Sequence, residues 1–253
     1  MHNLRKEIKM DILKITNLTV SYHRGFGKKK LALDNLNLKV AEGEIFGLLG
    51  PNGAGKTTMI KAIIGLLFPD GGEISLFGKT PPLISDRVRL GYFPEIATYY
   101  WFMTAEELLK MYGKLCGMDK LELSRKIDYV LNLVGISKER KQLIRTLSKG
   151  MQQRAGLAQA FLHNPEFLVL DEPFSGLDPL GRVQVREILK ELKKENKTIL
   201  LSSHELSEAE LICDRICIMK DGRVLKSGKV EELFGEKGGE SLERYFLEVI
   251  GGL

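Results

Sequence analysis

Residues 50–57, GPNGAGKT, fit the pattern G-x-x-x-x-G-K-[ST], which wraps the phosphates of a nucleotide. An apolar segment at 44–50 precedes the pattern, and apolar residues at helical spacing follow it at 59–67. A helix that starts here offers unpaired N–H groups and a partial positive charge to a triphosphate. We expect Lys56 to reach the β- and γ-oxygens and the Thr57 hydroxyl to ligate Mg²⁺. The nucleotide-binding residues predicted in this segment are Gly50, Pro51, Asn52, Gly53, Ala54, Gly55, Lys56, Thr57 and Thr58.

Two adjacent carboxylates follow a second apolar segment in FLVLDE at 167–172. Because ligands of open parallel sheets bind at the carboxyl ends of the strands, Asp171 and Glu172 are expected to face the phosphate loop. Asp171 suits the Mg²⁺ site, directly or through water. Since side chains alternate along a strand, Glu172 is expected on the other side of the strand end, where it polarises the attacking water. General-base assistance of this kind is worth about 10²–10⁴-fold in rate.

The phosphate loop by itself leaves a kinase, a GTPase and an ATPase open. GTP-specific proteins usually carry N-K-x-D, which pairs with guanine, and the nearest match, NKTI at 196–199, fails at its last position. Guanine specificity is therefore not expected.

The elements that must position these residues begin with two strands. Period-two alternation at 12–22 and 31–40 predicts half-exposed strands, and their connection is too short for a crossover helix, so they are expected to be antiparallel. Continuous apolar segments at 44–50, 167–170 and 198–201 predict buried strands of a parallel sheet.

The remaining elements are mostly helical. The pattern between 96 and 146 is helical, and Thr104 with Glu107 forms a predicted capping box. Residues 215–229 predict a hairpin that turns at Asp221-Gly222. Together these elements predict an α/β fold of the P-loop NTPase type. It has a RecA-like, mainly parallel sheet, an antiparallel β subdomain and an inserted α-helical subdomain.

Composition excludes several classes of protein. The 253 residues carry 38 basic and 33 acidic side chains, and a net charge of +5 is too balanced for a nucleic-acid binder. No apolar stretch approaches the ~18 residues of a membrane span, and the charged N-terminus lacks the apolar region of a secretion signal. We therefore expect a cytoplasmic chain, with any membrane role supplied by another subunit.

Further segments resemble the ABC ATPase family, and they occur in the family's order and spacing from about residue 11 to 235. They are Tyr22 for the aromatic residue that stacks on adenine, GYFPE at 91–95 in place of the Q-loop, LSKGMQQR at 147–154 for the signature LSGGQ, LDEP at 170–173, SGLD at 175–178 for the D-loop, and SSH at 202–204 for the switch histidine.

The resemblance implies a single ABC ATPase domain at 11–235 with a helical subdomain at about 96–149, followed by a short helical extension at 236–253. It implies the ATP-binding and ATP-hydrolysing subunit of an ABC transporter, bound peripherally to the inner face of the cell membrane. Its partners would be a second copy, or a homologous ATPase subunit, in a head-to-tail dimer, and integral-membrane transporter subunits. Nucleic acid is not expected as a partner.

The resemblance also implies roles for residues outside the phosphate loop. The signature residues Ser148, Lys149 and Gly150 of one copy would complete the ATP site of the other. His204 would hold the γ-phosphate and the attacking water, so the implied catalytic residues are Glu172 and His204. The implied metal ligands are Thr57, Glu95 and Asp171.

Two residues depart from the family pattern. Glu95 stands where the Q-loop usually has glutamine, and Lys149 replaces the first glycine of the signature. The carboxylate adds negative charge beside the phosphates, and the lysine adds positive charge opposite the partner's γ-phosphate, so the two changes could offset one another. Both resemble substitutions in ABC-2-type exporters, which favours export.

Four consecutive aromatic residues, YYWF at 99–102, follow the Q-loop position. Such clusters often anchor interfaces, although inside the helical subdomain they would simply be core. We expect part of this cluster to line the groove that receives a short helix of the membrane subunit.

Two other functions remain open at this point. One is a soluble ABC ATPase that acts on DNA or ribosomes, but the chain has neither a long coiled coil nor a second cassette. The other is a regulatory module that binds ATP without cleaving it, against which Glu172 and His204 argue.

Overall fold

The computed structural model describes residues 10–24, 28–80, 82, 84–96, 99–235 and 242–251. The strands within these ranges are β1 (Asp11–Arg24), β2 (Lys28–Ala41), β3 (Ile45–Leu49), β4 (Gly71–Leu76), β5 (Leu90–Phe93), β6 (Phe167–Leu170), β7 (Thr198–Ser203), β8 (Arg215–Lys220) and β9 (Arg223–Lys229). The helices are α1 (Lys56–Ile63), α2 (Ala105–Leu115), α3 (Lys120–Leu133), α4 (Lys149–Phe161), α5 (Pro179–Lys194), α6 (Leu206–Ile212), α7 (Val230–Gly235) and α8 (Leu242–Ile250).

The larger sheet has the order β5-β6-β7-β3-β8-β9. Its strands run parallel except for β9, which returns antiparallel to β8 through the predicted turn at Asp221-Gly222. Every residue of β3, β6 and β7 is buried, as expected of strands covered on both faces. The register pairs Leu49 with Ser203 and Leu170 with Leu201, so the carboxyl ends of the three central strands lie side by side.

The smaller sheet has the order β2-β1-β4 and is antiparallel throughout. Its apolar side chains, together with α1, cover one face of the larger sheet in a single core cluster. The other face of that sheet packs against α4, α5, α6 and the helical segment around α2 and α3. The P-loop NTPase fold with an antiparallel sheet and a helical insert is therefore confirmed.

Local signals set the ends of several elements. The Thr104 hydroxyl accepts the Glu107 N–H at 3.2 Å while the Glu107 carboxylate accepts the Thr104 N–H at 2.9 Å, which is the predicted capping box at the start of α2. In the tail, α8 buries Leu242 and packs against α6, β8 and β9, and the Lys220 ammonium donates to the Ile250 carbonyl at 2.7 Å. Within the described residues, no helix has the length and apolar character that crossing a bilayer requires.

Candidate functional site

The phosphate loop connects the buried strand β3 to helix α1. Gly55 caps the helix with a φ of 105°, and a Cβ there would lie 2.8 Å from the Ala32 carbonyl oxygen, so only glycine fits. The loop closes on itself where the Ala54 N–H donates to the Pro51 carbonyl at 3.1 Å. The β8–β9 turn supports it from behind, because the Gly222 N–H donates to the Ala54 carbonyl at 3.0 Å.

Lys56 is the cation of this loop, and only 6% of it is exposed. Its ammonium donates to the Gly50 carbonyl at 2.6 Å and lies 3.3 Å from Oε1 of Glu172. A buried ammonium is tolerated when it is paired and hydrogen-bonded in this way. The phosphate loop therefore holds a preformed positive group within reach of a bound polyphosphate.

Asp171 lies just beyond β6 and is 1% exposed. Its Oδ1 accepts hydrogen bonds from the Thr57 hydroxyl at 3.4 Å and from the Ser202 hydroxyl at 2.6 Å. Burial and the negative charges of Asp171 and Glu95 raise the pKa of Tyr92 on the neighbouring strand β5. The negative field and the hydroxyl–carboxylate pair suit a hard divalent cation.

Glu172 is 5% exposed, and its φ of 52° is left-handed, which is unusual for a residue other than glycine. Its Oε2 lies 2.7 Å from Nδ1 of His204 and accepts the His204 backbone N–H at 3.2 Å. The expectation that Glu172 lies on the other side of the strand end from Asp171 stays a prediction, because β6 ends at Leu170 and its alternation does not extend to either carboxylate. The two carboxylates contact consecutive residues of the phosphate loop, Lys56 and Thr57.

A cleft of about 590 Å³ opens over the phosphate loop, a size typical of small-molecule sites. Tyr22 lines it, and the Tyr22 hydroxyl is 3.3 Å from that of Thr58. Sequence reasoning missed part of the lining. These residues come from β2 and from the β8–β9 turn, and they are Lys30, Leu31, Ala32, Asp221 and Gly222. The predicted residues that line the cleft are Tyr22, Pro51, Asn52, Gly53, Ala54, Gly55, Lys56, Thr57, Thr58, Glu95 and Glu172.

The three signature residues lie outside this cleft. Ser148 caps α4, and its hydroxyl accepts the Met151 N–H at 3.3 Å. Ser148 and Lys149 are exposed and Gly150 is half-buried. The Lys149 ammonium lies against Gly176 of the same chain. The start of a helix, with its unpaired N–H groups, therefore faces outward beside the 175–178 segment.

The segments after Glu172 and His204 are joined by ion pairs. Asp178 caps α5 by accepting the Gly181 N–H at 2.7 Å. Arg182 in the first turn of α5 makes two hydrogen bonds of 2.8 Å to Glu205, the residue that follows His204. Bidentate pairs of this kind fix geometry as well as charge. The D-loop segment and the histidine segment are thereby held together.

The aromatic segment after Glu95 divides into two parts. Tyr99 is 8% exposed and packs in the core, whereas Tyr100, Trp101 and Phe102 are 48%, 50% and 71% exposed. Tyr100 and Phe102 contact each other edge to face, with ring centroids 5.9 Å apart. Of the two expectations for this segment, core and interface, Tyr99 fits the first and the other three residues remain available for the second.

The fold and this site define an ATP-binding cassette of the P-loop class. A family model described as ABC transporter matches residues 33–175. The chain belongs to the ABC transporter family and is an ATP-binding protein of that family that hydrolyses ATP.

Known proteins that resemble the chain include transport ATPases. An uncharacterized ABC transporter ATP-binding protein of Synechocystis sp. is 44% identical over 92% of this chain and 67% of that protein. The Nod factor export ATP-binding protein I of Sinorhizobium fredii is 36% identical over 95% of this chain and 68% of its own length. The dimeric ATP-binding cassette MJ0796, solved in a post-hydrolysis state with ADP and Pi, superimposes with a TM-score of 0.78 at 26% identity, covering 86% of this chain and 98% of that one. These relatives favour a transport ATPase over an ABC ATPase that acts on DNA or ribosomes.

Proposed function

We propose that this chain is the motor subunit of an ABC exporter, and that two copies close head to tail around two ATP molecules. The observation that carries the proposal is the buried Glu172, held between Lys56 of the phosphate loop and His204. A carboxylate in that position can orient a water for in-line attack on a γ-phosphate, which yields ADP and phosphate.

Each residue around Glu172 takes a separate role in this proposal. The Lys56 ammonium and the loop N–H groups bind the β- and γ-phosphates. His204 orients the γ-phosphate and the water from its contact with Glu172. Tyr22 stacks on the adenine from the rim of the cleft. These groups position and stabilise the reacting atoms without forming a covalent bond to them.

We assign Mg²⁺ to the oxygens of Thr57 and Asp171, with Glu95 nearby at the edge of the cleft. Within the described residues, no group of three or more His, Cys, Asp or Glu side chains could hold a metal by itself. Mg²⁺ commonly uses one or two protein ligands and takes the rest from substrate phosphates and water, so this pair fits it. When bound, the ion neutralises charge that develops on the phosphates.

The position of the signature residues supports the head-to-tail arrangement. Ser148, Lys149 and Gly150 lie outside the cleft of their own chain, and Ser148 and Lys149 are exposed. The positive end of α4 can therefore reach the γ-phosphate bound to a second copy. The dimeric state of the MJ0796 cassette supports this arrangement. ATP would join the two copies, and hydrolysis would release them.

We assign the binding site for the membrane partner to the exposed aromatic residues Tyr100, Trp101 and Phe102. Ile96, which is 81% exposed, is close to them in sequence. Large apolar side chains exposed together mark interaction surfaces. The segment lies directly after Glu95, so movement at the phosphates would reach it over a few residues. The proposed site of action is the cytoplasmic face of the cell membrane.

Export is favoured by the similarity to the Nod factor export protein and by the two departures, Glu95 and Lys149. We further assign 11–235 to one ABC ATPase domain, with its helical subdomain at about 96–149, and 236–253 to a C-terminal helical extension, of which only 242–251 lie within the described residues. Helix α8 lies in that extension and packs on the cassette.

Replacement of Glu172 by glutamine tests the catalytic assignment. Glu172→Gln keeps the shape of the side chain but cannot act as a base, so phosphate release should fall by about 10²–10⁴-fold while ATP binding remains. The variant should accumulate as an ATP-bound dimer on a sizing column. Turnover at the wild-type rate would remove Glu172 from its role, and an ATP-bound monomer would contradict the head-to-tail dimer.

Trp101→Ala tests the docking surface, with Phe68→Ala as the control because Phe68 is an exposed aromatic residue of a different segment, 86% exposed. Trp101→Ala should reduce co-purification with the membrane subunit and leave basal ATPase activity unchanged. Equal co-purification of both variants would show that the partner binds elsewhere.

A further inference from the structure

Ser202 is the penultimate residue of β7 and is fully buried, although its neighbours on the strand, Leu200 and Leu201, are apolar. A hydroxyl buried without partners costs free energy, so its hydrogen bonds show what it does there. The register places Ser202 beside Leu48 of β3, in the centre of the larger sheet. Its position is therefore fixed by neighbouring strands and not by a loop.

The Ser202 hydroxyl bridges the two carboxylate residues of the site. It accepts the backbone N–H of Glu172 at 2.9 Å and donates to Oδ1 of Asp171 at 2.6 Å. A serine hydroxyl has one hydrogen to donate, so both the donor and an acceptor lone pair are used by adjacent residues of one turn. The same oxygen of Asp171 also accepts from Thr57.

The Glu172 backbone needs such support. Its left-handed φ of 52° costs of order 1–3 kcal/mol in a residue with a side chain and persists only when surrounding contacts hold it. The hydrogen bond to Ser202 anchors the N–H of that strained residue, while the Glu172 carbonyl accepts the Ser175 N–H at 3.1 Å. One hydroxyl thus orients Asp171 and fixes the backbone from which the Glu172 carboxylate extends.

We infer that Ser202 is a positioning residue for ATP hydrolysis, and that its hydroxyl sets both the metal-facing carboxylate of Asp171 and the base Glu172. The inference rests on the roles proposed above for these two residues. Partners that orient metal ligands typically contribute 10–100-fold in metal affinity or activity. Ser202 touches neither the nucleotide-binding cleft nor the reacting atoms, so its effect passes through the two carboxylates.

Thr198→Val provides a matched control on the same strand. Thr198 is also fully buried, and its hydroxyl accepts a backbone N–H, that of Gly43, at 2.9 Å. Thr198→Val and Ser202→Ala each delete one buried hydroxyl from β7, and each leaves one backbone N–H without its hydrogen-bond acceptor. Only the second deletion affects Asp171 and Glu172. A loss of activity in both variants would come from destabilising β7. A loss of activity in Ser202→Ala alone would come from misplacing the two carboxylates.

The experiment compares the purified variants in phosphate release, Mg²⁺ titration and thermal unfolding. Ser202→Ala should lower kcat by about 10–100-fold and raise the Mg²⁺ concentration needed for half-maximal activity, with KM for ATP near the wild-type value. Thr198→Val should lower the melting temperature but leave kcat and the Mg²⁺ midpoint unchanged. If Ser202→Ala does not fold, Ser202→Cys should show the same kinetic changes, because it has the same branching as serine but a larger atom that is a weaker donor.

The inference is overturned if folded Ser202→Ala or Ser202→Cys keeps the wild-type kcat and Mg²⁺ midpoint. That result is distinguishable from failure of the proposed function, which Glu172→Gln reports. If Glu172→Gln is inactive while the Ser202 variants are fully active, only the positioning role is wrong. If Glu172→Gln turns over ATP at the wild-type rate, the assignment of the base itself fails.

Discussion

The two ends of the proposed ATP site are built in opposite ways. At the phosphate end, which we define as 51–58 with Asp171 and Glu172, the three charged groups proposed to act on phosphate and metal are buried and bonded within the chain. At the signature end, 148–150, the serine and the lysine are exposed. Contacts within one chain therefore preorganise the phosphate end. The signature end is proposed to act only when it meets the ATP bound by a second copy.

This difference assigns ATP binding to the phosphate end and dimer formation to the signature end of the proposed site. Lys56 contacts Glu172, so in the proposed mechanism a triphosphate competes with a carboxylate for the lysine, and binding would free that carboxylate to orient water. Lys149 is exposed and lies against Gly176 of its own chain. Substitutions at the phosphate end should therefore weaken ATP binding by the monomer. Substitutions at the signature end should weaken dimerisation.

The largest effect is expected at the phosphate end. Lys56→Met removes the buried cation, so kcat/KM should fall by about 10²–10³-fold, comparable to loss of a preorganised donor, and ATP binding by the monomer should weaken. Lys61→Met is the control, because Lys61 is an exposed lysine of the same helix. Fluorescent-nucleotide titration measures binding. Wild-type ATP affinity in Lys56→Met would contradict the preorganised phosphate end.

A smaller effect is expected at the signature end. Lys149→Glu places a negative charge where the partner's γ-phosphate is proposed to lie, and like charges brought together oppose association. ATP-driven dimerisation in the Glu172→Gln background should weaken by about 10–100-fold, while ATP binding by the monomer stays unchanged. Sedimentation with ATP measures it, and the exposed Lys141→Glu controls for net charge. Equal dimerisation of both variants would remove Lys149 from the interface.

An effect on stability is expected at the contact between α4, which begins at the signature, and Tyr99 of the segment after Glu95. A Cβ at Gly156 of α4 would lie 1.8 Å from the Tyr99 hydroxyl, so Gly156→Ala should destabilise the chain by about 1–3 kcal/mol. The Tyr99 hydroxyl is buried and has no hydrogen-bond partner among the described residues, so Tyr99→Phe should leave stability equal or slightly higher.

The double variant should recover part of the loss, because the phenyl ring removes the nearest clash. Urea denaturation measures all three proteins. Strictly additive effects on the free energy of unfolding would show that Tyr99 and Gly156 are not coupled. Tyr99 would then not link the segment after Glu95 to α4.

Much of the fold could be predicted because its signals are local. The capping box at Thr104, the turn at Asp221-Gly222 and the apolar strand before Asp171 each depend on residues a few positions apart. The phosphate loop was equally predictable, since its glycines and its lysine lie in one segment. Strand alternation could not be used to place Glu172, because β6 ends at Leu170, two residues before it.

The sequence by itself determined the type of chemistry: a loop that binds phosphate, two carboxylates after a buried strand, and a signature that resembles one family. Only the tertiary structure decided which groups meet. The pairs Ser202–Asp171, Lys56–Glu172 and Tyr99–Gly156 join residues far apart in the chain. Residue type and spacing encode what a short segment can do. Contacts between distant strands depend on register and burial across the whole sheet, and no local pattern records them.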